Sequence, residues 1–343
     1  MEKNERCLIL GSAGYIGKVL ASELVSNGYE VCGIDLEANC SPDYVTKQGD
    51  LLDTDFFNNT LSDFDPHLII DLAARTEVDD NLKLEDYEVN IRTPDLILSA
   101  LKTCRVNSLR KVVFTSTQYV IGPTFSHRNK LAYAPHTAYG QSKVLLEQNI
   151  QKNIVEFADY GVKIAVVRPT NVWGGCHPKY SSVWEPLLQR GLVAIPSKMV
   201  SKSYCHLSSL VKLYYELLQT DLPSDLFEDC VIYGTDKPCP QRDWVEIQSN
   251  ELKKLGFKAS FHCVPIWLLF LLSYALQIVS LITRTSNKLP RTRVLSMIDN
   301  YYVDTNRPEA LSQVQSLSEI TSQISMDFQQ RYAYRNHSQE EGQ

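Results

Sequence analysis

The chain has 343 residues, 44% of them hydrophobic, which is enough apolar material for one large or two modest cores and excludes disordered and fibrous classes. The 34 Lys and Arg against 40 Asp and Glu leave a net charge of −6, so the chain lacks the basic footprint of a nucleic-acid binder. Nine cysteines with no C-x-x-C pair fit scattered reduced thiols, and the first residues run into a glycine-rich turn by Gly11 without an apolar leader, so a cytoplasmic protein is expected.

Short apolar runs at 7–10, 29–34, 68–72, 111–114 and 163–167 alternate with helical periodicity at 15–26, 87–101 and 138–158. The alternation predicts an α/β fold, a Rossmann-type doubly wound parallel sheet covered on both faces. Pro94 falls inside the second helical stretch, where it would kink a helix. After Arg168 the rhythm breaks, and only Cys230-Val-Ile-Tyr233 reads again as a strand. The expected organisation is a dinucleotide-binding domain over 1–170 with a return segment near 205–235. A smaller, mostly helical C-terminal substrate domain takes 171–204 and 236–335, and the polar tail 336–343 reads as disordered.

Residues 259–283 contain no Lys, Arg, Asp or Glu. Three readings suit them: a buried helix of the second domain, a helix lying on a membrane surface, and a spanning helix. Arg284, Lys288, Arg291 and Arg293 follow directly and would suit anionic headgroups or a phosphate-bearing substrate. Peripheral membrane contact through 264–282 is therefore one expectation, with membrane association of an otherwise cytoplasmic protein.

Gly11-Ser-Ala-Gly14-Tyr15-Ile16-Gly17 follows the first strand and opens a helix. In that context Gly11 permits the tight turn, Gly14 lets backbone approach a pyrophosphate, and Gly17 lets the helix pack on the strand. Asp35 closes the next strand, where a carboxylate would accept from the adenosine ribose hydroxyls and repel a 2′-phosphate, and no Lys or Arg occurs over 36–45. NAD is the expected cofactor. Asp50, in Gly49-Asp-Leu51, falls at the end of a third strand near the adenine, or serves as a turn residue.

Tyr139-Gly-Gln-Ser-Lys143 places a phenol and an ammonium at i and i+4, neighbours on one helix face. A nearby cation favours the phenolate, so Lys143 would make Tyr139 usable as a general acid and base. The strand end Phe114-Thr-Ser-Thr117 supplies a hydroxyl that could share the substrate oxygen. Seven single histidines form no metal-ligand spacing, and no nucleophile elbow or Walker pattern occurs. His206 reads as a satisfied structural histidine.

These segments, with Ile70-Asp-Leu-Ala-Ala-Arg75, Asn90, residues 113–122 and Arg168-Pro-Thr-Asn-Val-Trp-Gly174, make the chain resemble an extended short-chain dehydrogenase/reductase of the NAD-dependent epimerase/dehydratase family. It is most similar to members that act on nucleotide-activated sugars. The resemblance implies Tyr139 as catalytic acid/base, Lys143 as its electrostatic partner and ribose ligand, and Thr117 as the positioning hydroxyl, with Thr115 and Ser116 as alternates. It implies Tyr15, Ile16, Leu51, Ala73, Ala74, Arg75 and Pro169 as further cofactor contacts. Thr117, Asn171 and Lys202 become substrate contacts, Lys202 toward a diphosphate or else a solvated surface lysine, while Asn90 reads as structural. A homodimer through 85–103 and 138–158 is also implied.

Departures narrow the reading. Gln118 and Tyr119 stand where dehydratases of the family carry an acidic pair, which disfavours dehydration. Ser208 and Ser209 replace another acidic pair, and Ile121 and Trp173 each replace a tyrosine. The expected activity is an NAD-dependent epimerase working through a 4-keto sugar, an isomerase that uses oxidoreductase chemistry in polysaccharide biosynthesis. A dehydrogenase or reductase of a nucleotide sugar or steroid-like alcohol is the alternative, and a non-catalytic NAD sensor is the reading from another class.

Overall fold

The computed structural model describes residues 5–38, 43–78, 82–104, 106–122, 130–175, 177–178, 180–222, 226–283, 289, 291–303 and 305–340. The first half alternates strand and helix: β1 (Arg6–Leu10), α1 (Tyr15–Ser26), β2 (Glu30–Asp35), β3 (Val45–Gln48), α2 (Thr54–Phe64), β4 (Leu68–Asp71), α3 (Val89–Thr103), β5 (Lys111–Thr115), α4 (Ala138–Asp159) and β6 (Lys163–Pro169). Cys7 to Leu10 of β1 and Leu68 to Ile70 of β4 have no exposed surface, as continuous apolar runs require when helices cover both faces of a sheet.

The second half contains β7 (Asn171–Trp173), α5 (Glu185–Gln189), β8 (Val193–Pro196), β9 (Ser201–Lys202), β10 (Tyr204–His206), α6 (Leu207–Gln219), α7 (Phe227–Cys230) and β11 (Val231–Gly234). It continues through β12 (Cys239–Pro240), α8 (Gln241–Lys254), β13 (Phe261–Val264), α9 (Ile266–Thr283), α10 (Arg291–Ile298) and α11 (Thr321–Glu340).

Seven strands form one parallel sheet in the order β11-β6-β5-β4-β1-β2-β3. The strand order reverses between β4 and β1, and in such sheets ligands bind beyond the carboxyl ends of the strands at that point. The predicted doubly wound α/β fold is present. Two elements lie outside the apolar runs and helical stretches read from the sequence, although α2 carries Phe57, Leu61 and Phe64 at helical spacing. β3 is an edge strand with the half-exposed sequence Val-Thr-Lys-Gln, and α2 starts from an Asp53 cap whose carboxylate accepts from Phe56 N–H.

The chain divides into two compact units, Met1–Thr170 with Leu207–Gly234 and Asp304–Gln313, and Asn171–His206 with Thr235–Val303 and Val314–Gln343. Asp304–Gln313 thus joins the first unit, a correction to the continuous second domain expected over 236–335. Beside the buried Leu311, it is held by polar bonds that hydropathy does not show: Ser312 N–H and Oγ–H both donate to the Glu216 carboxylate on α6, at 3.0 Å for the N–H.

In the second unit β7 and β10 pair in parallel, as do β8 and β13, while β9 and β12 pair antiparallel. Its core is aromatic. Tyr204 stacks on Trp244 with centroids 4.3 Å apart, and Trp173 meets Trp244 edge-on at 5.4 Å. Ile324, Phe328 and Tyr332 anchor α11 in this core, and once nucleated the helix propagates to Glu340. That corrects the disordered tail expected from 336, and 341–343 lie outside the described residues. α9 departs from the buried-helix reading, since Leu269 and Ser273 are its only buried residues.

Candidate active site

The glycine turn sits at the sheet's reversal point. Gly11 has φ +83°, and a Cβ there would stand 2.8 Å from Ala73 N and Leu72 C at the end of β4. A Cβ at Gly17 would stand 2.2 Å from Gly11 O, so α1 can start against the turn only with glycine there. Gly14 is the N-cap of α1 and exposed, with half-exposed Tyr15 and Ile16 in the first turn. Asp35 clamps the turn from β2, its carboxylate accepting from Ala13 N–H at 2.8 Å and Glu37 N–H at 3.1 Å.

Asp50 accepts from Leu52 N–H at 2.9 Å with an exposed side chain, and Leu51 packs into the first core. Ala73 and Ala74 are half-buried beside Gly11. Arg75 is exposed and pairs with Glu77 at 3.4 Å. Pro169 ends β6 opposite Gly234 of β11.

Whether these residues suit a dinucleotide can be judged from the turn itself. Its cradle admits no side chain, the N–H groups opening α1 face outward from a glycine cap, and an acid closes β2. The Ser12 hydroxyl is fully buried without a hydrogen-bond partner among the described residues. The set fits NAD.

Three consecutive hydroxyls follow the end of β5, and the structure separates them. Thr115 Oγ1 bonds Tyr214 Oη at 2.7 Å, and Ser116 Oγ–H donates to Glu147 Oε1 at 2.5 Å. Thr117 Oγ1 accepts from Tyr119 N–H at 3.3 Å and stands close enough to the Tyr139 phenol to pull its pKa down. Of the sequence alternatives, Thr117 alone meets the tyrosine.

α4 begins at Thr137, whose Oγ1 accepts from Gly140 N–H at 2.9 Å, and carries Tyr139 and Lys143 on one face. Tyr139 is buried between the rings of Tyr87 and Tyr119, with centroids 6.2 and 6.1 Å away. Burial pushes its phenol up to about 12, against the Thr117 hydroxyl that lowers it. The Lys143 ammonium donates to Thr115 O at 2.8 Å, and burial pushes it down to about 8 although Asp71 and Glu147 oppose the shift. Burial likewise pushes the Asp71 carboxyl up, with Lys143 as the main opposing charge.

Sequence reasoning gave no role to the pair beneath this site. Arg168 and Glu147 are both fully buried, joined by Nε to Oε1 at 2.8 Å and Nη2 to Oε2 at 2.5 Å. Arg168 also donates to Tyr233 Oη at 3.0 Å and Lys130 O at 2.7 Å. A signal was present: Glu147 follows Lys143 by four residues, as Lys143 follows Tyr139, so a titratable stripe continues down α4. Asn90 has a structural geometry. Its side chain accepts from Arg75 N–H and donates to Arg75 O and Ser142 Oγ.

The other substrate candidates lie in the second unit. Asn171 Nδ2–H donates to Ser203 O at 3.1 Å. Lys202 is buried and its ammonium donates to Ser296 O and Asp299 O at the end of α10, which commits two of its three donors inside the protein. Burial pushes it down to about 8, with Asp299 opposing. His206 Nε2 meets Asp327 Oδ2 at 3.1 Å, and Asp327 accepts from Gly175 N–H at 2.5 Å, a satisfied structural histidine.

A model of the NAD dependent epimerase/dehydratase family matches residues 7–222. The chain is 26% identical over 208 residues to a UDP-glucose 4-epimerase of Mycolicibacterium smegmatis, covering 56% of this chain and 62% of that one. It is 25% identical over 218 residues to a 3 beta-hydroxysteroid dehydrogenase/Delta 5-->4-isomerase of Mycobacterium tuberculosis, covering 59% of this chain and 57% of that one. The matches therefore span less than two thirds of these curated relatives. Among solved structures, the UDP-glucuronic acid 4-epimerase of Bacillus cereus in complex with NAD superposes with TM-score 0.66 at 18% identity, covering 95% of this chain and 99% of that one. That likeness is one of fold.

Proposed function

The chain belongs to the NAD dependent epimerase/dehydratase family, and we propose that it is an epimerase acting on a nucleotide-activated sugar through a transient 4-keto intermediate. The observation that carries the reading is the Tyr139 phenol buried beside the Thr117 hydroxyl, with Lys143 one helical turn along the same buried face. Bound NAD supplies a hydride acceptor that can return the same hydride.

This chain's residues handle the oxygen and its proton. Thr117 orients the sugar C4 hydroxyl, and Tyr139 takes its proton as the carbon is oxidised and gives it back on reduction. Burial opposes the phenolate, and Tyr119 and Tyr87 add to that while Thr117 favours it; a charged Lys143 one turn along the helix would favour it further. Elimination of water needs a further acid and base. Gln118 and Tyr119 follow Thr117, and Glu147 is committed to Arg168 and Ser116, which favours epimerisation over dehydration.

The test has two stages. Denatured, purified protein should release near-stoichiometric NAD, identified by mass spectrometry. The intact protein should then interconvert UDP-glucose and UDP-galactose, or their uronic acids, with deuterium at C4 retained and no net NADH. Accumulating NADH, or a 4-keto-6-deoxy product, would overturn the reading. A second reading, a dehydrogenase of a steroid-like alcohol, is favoured by the mycobacterial relative and the apolar surface of α9. It predicts NADH formation from a 3β-hydroxysteroid in the same assay.

A further inference from the structure

α9 is apolar around most of its circumference and yet largely exposed, with Leu269 and Ser273 its only buried residues. At about 100° per residue, Trp267, Leu268, Leu271, Leu272, Ile278 and Ile282 fall on one outward half of the helix, and all are exposed. Ser273 and Ser280 fall on the inward half. Leu281 and Ile282 are 74% and 77% exposed, Trp267 is 66% exposed, and no charged residue interrupts the helix. A helix in water shows its polar side outward, whereas a helix facing lipid shows its apolar side.

The charge pattern identifies the lipid. From residue 252 to 298 the sequence holds seven Lys and Arg and no Asp or Glu, in a chain whose net charge is −6. Four of them, Arg284, Lys288, Arg291 and Arg293, follow α9 within ten residues. A contiguous apolar face followed in the sequence by cations with no intervening acid complements an anionic bilayer surface.

Geometry decides between spanning and lying on the membrane. Eighteen residues reach about 27 Å, close to the ~30 Å hydrocarbon core. Yet β13, which feeds α9, pairs with β8, and α10, which follows it, packs on both α9 and β8. Leu289, six residues past the end of α9, accepts a hydrogen bond at 2.8 Å from Ser273 at the helix middle. The chain doubles back, so both flanks of α9 stay on one side. We propose that α9 is an in-plane membrane helix that seats the second unit on the surface of an anionic bilayer through its outward apolar face.

The test reads binding without turnover and so stands apart from the proposed reaction. The full chain is floated with vesicles of phosphatidylcholine alone and of phosphatidylcholine mixed with phosphatidylserine. It should float with the mixed vesicles at an affinity at least about tenfold higher, and salt should weaken that binding. Leu271→Glu/Ile278→Glu, both on the outward face, should abolish flotation while leaving NAD release and the circular dichroism spectrum unchanged.

Because that variant adds charge, a second readout is needed. Trp267 emission should shift to the blue on mixed vesicles, and Trp267→Phe should remove the shift. In that background Ile282→Trp should report the same shallow depth with brominated lipids, whereas a tryptophan at the bilayer centre would overturn the in-plane geometry. A wild-type chain that stays unbound to both vesicles overturns the proposal. So does one that instead forms a dimer dispersed by Leu271→Glu/Ile278→Glu, because a second copy then covers the face.

Discussion

Tyr139 and Lys143 are moved in opposite directions by one cause. Burial disfavours the charged form of each, lifting the phenol to about 12 and lowering the ammonium to about 8, and it outweighs both the Thr117 hydroxyl and the carboxylates of Asp71 and Glu147. At neutral pH Tyr139 therefore holds its proton while Lys143 keeps its charge. The tyrosine can act as an acid at once, and as a base only when a substrate hydroxyl is in place to exchange protons. Tyr139→Phe keeps the ring between Tyr87 and Tyr119 and removes only the oxygen. Turnover should fall by about 10²–10⁴, while NAD affinity, measured calorimetrically, should stay at the wild-type value. Near-normal turnover would remove Tyr139 from the proton path. The i, i+4 spacing of this pair was legible in the sequence because a helix imposes it. The separation of Thr117 from Thr115 and Ser116 was not, since it depends on Tyr214 and Glu147, which come from elsewhere in the chain.

At the scale of elements, the position of α4 is set by an absence. A Cβ on Gly140 would stand 2.5 Å from Tyr119 O, a backbone atom of the turn Gln118–Val120 directly after Thr117. The first turn of α4 can thus approach the end of β5 only with glycine at that position, and this approach brings Tyr139 to Thr117. Gly140→Ala should push the helix start outward, and displacements on the order of 1 Å can cost about 10²-fold in rate. The expected result is a loss of about tenfold or more in kcat/KM with unchanged NAD affinity, because the dinucleotide turn belongs to β1 and α1. Unchanged kcat/KM would show that the contact has slack. Gly140 sits inside the very motif that the sequence made conspicuous, yet its reason is a distant carbonyl. The two elements outside the apolar runs have local reasons of their own: β3, the strand expected before Asp50, is polar because it lies at a sheet edge, and α2 starts from its Asp53 cap.

At the scale of the whole molecule, the division near residue 170 was legible as the end of the strand and helix rhythm, and the return of α6 and β11 to the first unit left a short apolar run. The return of Asp304–Gln313 was not, because bonds from Ser312 to Glu216 and from Arg307 to Tyr233 O hold it. This division separates the candidate contacts: every cofactor candidate lies in the first unit, and Asn171 and Lys202 lie in the second. Ligands that bind the native state protect the amides they order. Hydrogen exchange followed by mass spectrometry should therefore show NAD slowing exchange at Gly11 to Ser26, at the ends of β2 and β4, and in the first turn of α4. Peptides of α8, α9 and α11 should be unmoved. Adding UDP-glucose to the NAD-bound protein should extend protection to Asn171 and to the Ser201–Lys202 strand. Protection by NAD spread evenly over both units would contradict this partition, and UDP-glucose protection confined to the first unit would remove Asn171 and Lys202 from the sugar-nucleotide site. The α9 peptides supply an internal control, since only a vesicle, and neither small ligand, should slow their exchange.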